Sequence, residues 1–165
     1  MNELMSGSSQ VGGPFALPDQ WGKTRSLADF RGKLVLLYFG FASCPDVCPT
    51  DLAVIGEALR RLGPQAEEVQ PLFITLDPLR DTPEVLREYV AAFHPSFVAL
   101  RGSEAETRDI ATRYKVFFEK VSQGQGYAID HMAFTFVLDR EGRYVAFLPP
   151  GTRAERMVAM VRQVL

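Results

Sequence analysis

The sequence predicts an α/β fold, a central mixed sheet flanked by helices, on three observations. Early segments alternate between continuous apolar runs of strand length and amphipathic stripes of helical period. A late pair of alternating runs brackets Asp139, Arg140, Glu141 and Gly142, the chemistry of a hairpin turn. The chain has 165 residues, 47% apolar and 23% charged, which suffices for one domain with a substantial core.

Taken in order, residues 15–17 and 23–26 flank Asp19-Gln20-Trp21-Gly22 and read as a short N-terminal hairpin. Residues 34–40, Leu-Val-Leu-Leu-Tyr-Phe-Gly, form a run suited to a strand buried on both faces. Cys48, Leu52, Ile55, Leu59 and Leu62 then recur at steps of four and three, a helical stripe closed by Gly63-Pro64. Residues 72–76 make a second buried strand, ended by Asp77-Pro78. Thr82-Pro83 supplies an N-cap and first helical position, with Val85, Leu86, Tyr89, Val90 and Phe93 as the buried face.

A short strand is expected at 97–100, and Ser103 with Glu106 forms a capping box for a helix running to about Tyr114. Residues 116–122 and 127–129 read as an inserted strand pair around Gly124-Gln125-Gly126. Strands at 134–138 and 144–148 follow, and Thr152 with Glu155 is expected to cap a last helix burying Met157, Val158, Val161 and Leu165.

Net charge is −2 with no block of like charges, so nothing points to nucleic acid or an anionic membrane surface. Residues 1–12, rich in Ser and Gly, read as a leader, either native or the remnant of a membrane anchor, ahead of a domain at 13–165. Two cysteines are too few for a disulfide scaffold.

Those two cysteines, Cys44 and Cys48, stand four residues apart where the first long strand gives way to a helix, each followed directly by a proline, Pro45 and Pro49. At that spacing their Cβ atoms come within about 5–6 Å, close enough for one small ion or one disulfide. Helix N-terminal amides favour the thiolate, the form that binds metal or attacks a disulfide. A thiol pair at the end of a strand and the mouth of a helix gives a thioredoxin-like plan. Thioredoxin-type centres use Cys-x-x-Cys, and here three residues intervene.

Soft thiolates select Cu(I), zinc or iron–sulfur clusters, and two thiolates leave room for a third ligand. Of the two histidines, His94 follows a helix C-terminus, where the dipole favours an imidazolium and a structural or exposed role is expected. His131, leading into an apolar strand, is the stronger ligand candidate, because Cys-Cys-His is a recognised metal set. Asp130 either orients His131 or is an exposed strand-end carboxylate, and alternation sends Met132 to the opposite face. Gly124 and Gly126 lead us to expect that residues 123–131 order when metal binds.

Phe39-Gly40-Phe41-Ala42-Ser43-Cys44-Pro45-Asp46-Val47-Cys48-Pro49-Thr50, Asp77-Pro78-Leu79-Arg80-Asp81-Thr82-Pro83 and Asp130-His131 together resemble the SCO/SenC copper-chaperone family. The resemblance runs from Gly13 to the C-terminus. It implies a thioredoxin-like, monomeric domain that binds one copper, as Cu(I) or Cu(II), through Cys44, Cys48 and His131. It also implies a role in assembling the dinuclear copper centre of cytochrome c oxidase, with the oxidase copper subunit and a copper donor chaperone as partners. The implied location is the periplasmic face of the bacterial inner membrane, reached through an anchor absent from this chain. Such a protein is a metallochaperone rather than a turnover enzyme. The rival reading is a thiol–disulfide oxidoreductase reducing the oxidase subunit's cysteines, with Cys44 and Cys48 as its redox-active pair. Phe39, Phe41 and Phe134 are expected to wall the site. Asp77 and Asp81 are open between turn chemistry and a docking or electrostatic role.

Overall fold

The computed structural model describes residues 11–42, 47–123, 126–131 and 134–165. A hairpin of β1 (Ala16–Pro18) and β2 (Thr24–Ser26) precedes β3 (Leu34–Gly40), every residue of which is buried. Helix α1 (Val47–Leu62) follows, then β4 (Val69–Thr75), α2 (Pro83–Ala91), β5 (Val98–Leu100) and α3 (Glu104–Arg113). Strands β6 (Phe118–Gln123) and β7 (Gly126–His131) form a separate two-stranded sheet. Strands β8 (Thr135–Leu138) and β9 (Tyr144–Leu148) and helix α4 (Ala154–Val164) complete the chain.

The central sheet has the order β5-β4-β3-β8-β9. Its first three strands are parallel, and β8 and β9 join antiparallel. This is the mixed sheet the sequence predicts. Parallel strands need helical crossovers and so are covered, which is why β3 and β4 read as continuous apolar runs.

Strand β4 starts three residues before its predicted first residue, ahead of Pro71. Proline lacks an N–H, but β5 pairs only with Leu72 to Ile74, so Pro71 lies where β4 has no β5 neighbour. Helix α2 differs on one face: Leu86 and Val90 are buried, whereas Val85 in its first turn is exposed.

The capping box on α3 forms as predicted, with Glu106 N–H donating to Ser103 Oγ and Ser103 N–H to Glu106 Oε1. The one predicted for α4 does not. Arg153 is its N-cap, and the Thr152 hydroxyl donates instead to the Pro149 carbonyl at 2.6 Å. The Pro149–Thr152 turn already claims that hydroxyl, so it cannot reach the helix amides.

Phe15, Phe39, Tyr114 and Phe136 meet at ring separations of 5.6–6.2 Å and form an aromatic centre to the core. Tyr114 keeps its hydroxyl satisfied at the Gly13 carbonyl, 3.0 Å away. Val11 is buried, and Gly12 N–H donates to the Arg113 carbonyl, so the chain is already packed on the domain at these residues.

Candidate functional site

The C-terminal edge of the parallel strands gathers the sequence-predicted segments. Gly40 ends β3 opposite Thr75, the last residue of β4, and Leu76 N–H donates to the Gly40 carbonyl at 2.7 Å. The cysteine segment leaves from this edge. Ser43 to Asp46, and with them Cys44, lie outside the described residues, and α1 resumes the chain at Val47. Cys48 is the second residue of α1, in the first turn, where unpaired amides favour a thiolate. Its side chain lies outside the described ones.

His131 is the last residue of β7 and pairs in register with Phe118 of β6. Phe118 lines a cavity of about 280 Å³ with Leu76, Pro78 and Arg108, and the Arg108 guanidinium lies 4.6 Å from its ring centre. That contact anchors the β6–β7 ribbon beside the end of β4. From the other side, β8 enters at the same edge, with Thr135 opposite Tyr38, only four residues after His131. The backbone therefore brings His131 to the edge from which the cysteine segment emerges. The His131 and Asp130 side chains, and Gly124, Gln125, Met132 and Ala133, lie outside what is described. Phe39 and Phe41 are buried here, and Phe134 is half-buried with its ring 4.8 Å from that of Phe147.

Asp77 and Asp81 occupy the loop between β4 and α2, and both are buried, at 0% and 1% exposure. The helix cap itself belongs to Thr82, whose hydroxyl accepts the Val85 N–H. Arg80 bridges to Asp77, and Asp77 N–H donates to Thr75 Oγ1 at 2.9 Å. Asp81 Oδ2 accepts two bonds, from the Thr75 hydroxyl at 2.7 Å and from the Ala42 N–H at 2.8 Å. Burial pushes the Asp81 carboxyl up from its ordinary value, against the pull of the Thr75 and Ala42 hydrogen bonds; the Asp77 charge adds a smaller upward push.

One further buried acid was not anticipated. Asp51, on α1 one turn after Cys48, accepts the Tyr38 hydroxyl at 2.9 Å and the Gly151 N–H at 3.3 Å. The signal was present in the sequence: position 51 is three past Cys48 and four before Ile55, on the apolar stripe, so a carboxylate there needed a partner.

His94 stands apart from this edge. Its Nδ1 accepts the Ser96 N–H at 3.1 Å and meets the Ser96 hydroxyl at 2.8 Å, the structural role expected of it. Contrary to the imidazolium expected at a helix end, burial, and then the Arg60 charge, hold its pKa below the ordinary value.

The family model described as SCO1/SenC matches residues 4–165. The chain belongs to this family. An SCO2-like protein of Rickettsia prowazekii is 46% identical over 139 residues, covering 82% of this chain and 68% of the relative. The structure of Bradyrhizobium japonicum ScoI with copper bound superposes with a TM-score of 0.86 at 39% identity, covering 94% of this chain and 99% of that one. Yeast Sco1 with copper bound gives 0.84 at 38% identity, over 93% of this chain and 87% of that one. The thioredoxin-like mixed α/β fold predicted for the chain is thus the fold of these SCO relatives. Among the described residues, no helix is long and apolar enough to cross a membrane.

Proposed function

We propose that this SCO1/SenC protein is a copper metallochaperone that carries one copper on Cys44, Cys48 and His131 for the dinuclear copper centre of cytochrome c oxidase. The observation that carries this reading is the convergence at one sheet edge of the helix start bearing Cys48 and the strand end bearing His131. It is supported by the copper held in the ScoI and yeast Sco1 relatives. The donor chemistry fits the cargo. Two thiolates satisfy soft Cu(I), and the imidazole completes a trigonal set that also suits Cu(II).

Handover then proceeds by ligand exchange, an acceptor thiolate replacing one ligand of this protein at a time. His131, far along the chain from the cysteines, is the ligand to leave first. The acceptor is the oxidase copper subunit, a second copper chaperone is the donor, and the domain works as a monomer at the periplasmic face of the inner membrane.

Thiol–disulfide reduction of the same subunit is the second reading. It is favoured by Cys48 standing in the first turn of α1, where the thiolate needed for attack is stabilised. Anaerobic copper titration of the reduced protein, wild type beside His131→Ala, tests the proposal. One copper per chain, held more weakly in the variant, supports it. A reduced wild type that binds no copper rejects it and leaves the reductase reading.

A further inference from the structure

We infer that Asp81 is a positioning residue for the thiol pair, its carboxylate fixing the chain just before Cys44. The inference rests on the proposed role of Cys44 and Cys48, and on three observations about Asp81 itself.

The first is the reach of the bond. Asp81 Oδ2 accepts the Ala42 N–H at 2.8 Å, across 39 positions of sequence, and Ala42 stands two residues before Cys44. The second is that the acceptor is itself fixed, since the Thr75 hydroxyl donates to the same oxygen at 2.7 Å from the last residue of β4. The Cys44 side of the site is thereby tied to the rigid parallel sheet through a side chain on a different loop. The third is that local structure alone leaves Asp81 unexplained. Thr82 caps α2 without it, and among the described residues its buried Oδ1 has no hydrogen-bond partner. Keeping an unsatisfied buried carboxylate oxygen costs about 1–3 kcal/mol. A Val at position 81 would avoid that cost, but would leave the Ala42 amide without its acceptor.

A thiol pair four residues apart closes a disulfide, or shares one metal, only if both ends are held. Cys48 is held by α1. Asp81 holds the chain at Ala42, and without that tether the effective concentration of one thiol at the other falls.

The test uses the metal-free protein equilibrated with oxidised and reduced glutathione. In it, the Cys44 and Cys48 thiols become a disulfide as one oxidised glutathione becomes two thiols. Asp81→Ala is expected to lower the disulfide equilibrium constant about tenfold, a rise in potential of about 30 mV. Asp81→Asn keeps an acceptor oxygen and is expected to restore the wild-type value. Gly56→Ala, which disturbs α1 far from the loop, is the control for lost stability and should leave the constant unchanged. In the Cu(II) form, the sulfur-to-copper charge-transfer band should move in Asp81→Ala and not in Asp81→Asn.

A constant for Asp81→Ala within twofold of wild type overturns the inference. So does an Ala42 amide in the wild type that exchanges as fast as an unprotected one. Should Asp81→Ala not fold, that amide decides the matter alone. If the wild type binds no copper, the proposed function falls while Ala42 protection still judges the tether.

Discussion

Gly56→Ala sets two opposed effects against each other at a single atom. In isolation the change should stabilise α1, because Ala exceeds Gly in a helix interior by about 0.8–1.0 kcal/mol. The structure reverses the sign. A Cβ at position 56 would lie 2.3 Å from the Phe93 carbonyl oxygen, in the turn that follows α2. Carbon–oxygen contacts normally sit at about 3.3–3.6 Å, so roughly 1 Å of separation must be found. The obstacle is backbone. Phe93 N–H is tied to the Val90 carbonyl at 3.0 Å, and the Phe93 carbonyl accepts Arg60 Nη1 at 3.3 Å, so neither side can turn away as a flexible side chain would. Forcing a methyl into packed structure costs about 1–3 kcal/mol, and contact with fixed backbone belongs at the upper end. The net loss is about 1–2 kcal/mol. For a domain of this size that lowers Tm by about 2–8 °C, measured by circular dichroism or calorimetry. Copper stoichiometry should not change, since Gly56 lies two helical turns beyond Cys48. A Tm equal to wild type or higher would mean that α1 and the Phe93 turn do not approach as closely as described, and would refute the reasoning.

Cys44→Ser and Cys48→Ser should each abolish tight Cu(I) binding, since the sequence holds no other thiol, and anaerobic competition with a chromophoric chelator reads this. His131→Ala should weaken Cu(II) more than Cu(I), seen as loss of the sulfur-to-copper absorption, because two thiolates can satisfy Cu(I) alone. Mild oxidation should close a Cys44–Cys48 disulfide and end copper binding; mass spectrometry should find a loss of two hydrogens within one chain, and intermolecular dimers alone would contradict the inferred spacing. Asp81 supplies a pH dependence whose sign follows from burial, which raises its pKa above the ordinary 3.8. The folded state then holds the proton more tightly than the unfolded one, so the Asp81 contribution falls as pH rises from 3.8 through the raised value. Asp81→Asn should therefore be more stable than wild type at neutral pH, with the gap closing toward pH 3.8; a gap that widens on acidification would reverse the assignment.

Much of the fold was legible because its signals are local. Strand β3 coincides with the apolar run at 34–40, the α1 stripe reappears as buried Leu52, Ile55, Leu59 and Leu62, and the Ser103–Glu106 box closes as the spacing predicts. Periodicity and capping depend on residues within one or two turns, so one sequence carries them in full. The cysteine pair stands out in the sequence for the same reason. Its spacing is short, and the chain has no other cysteine to confuse it.

What only the tertiary structure decided lies in contacts between segments distant in sequence. No local pattern reveals that Thr152 would spend its hydroxyl on Pro149, or that Val85 would face solvent. Nor does any announce that Asp51 of α1 would meet the Tyr38 hydroxyl of β3. Asp81 is the clearest instance. In sequence it is a turn residue before a helix cap, with nothing to separate it from Asp77. Once β4 pairs in parallel beside β3, its carboxylate arrives at the Ala42 amide. A buried backbone donor must find an acceptor, and which side chain supplies it is set by how the strands pack.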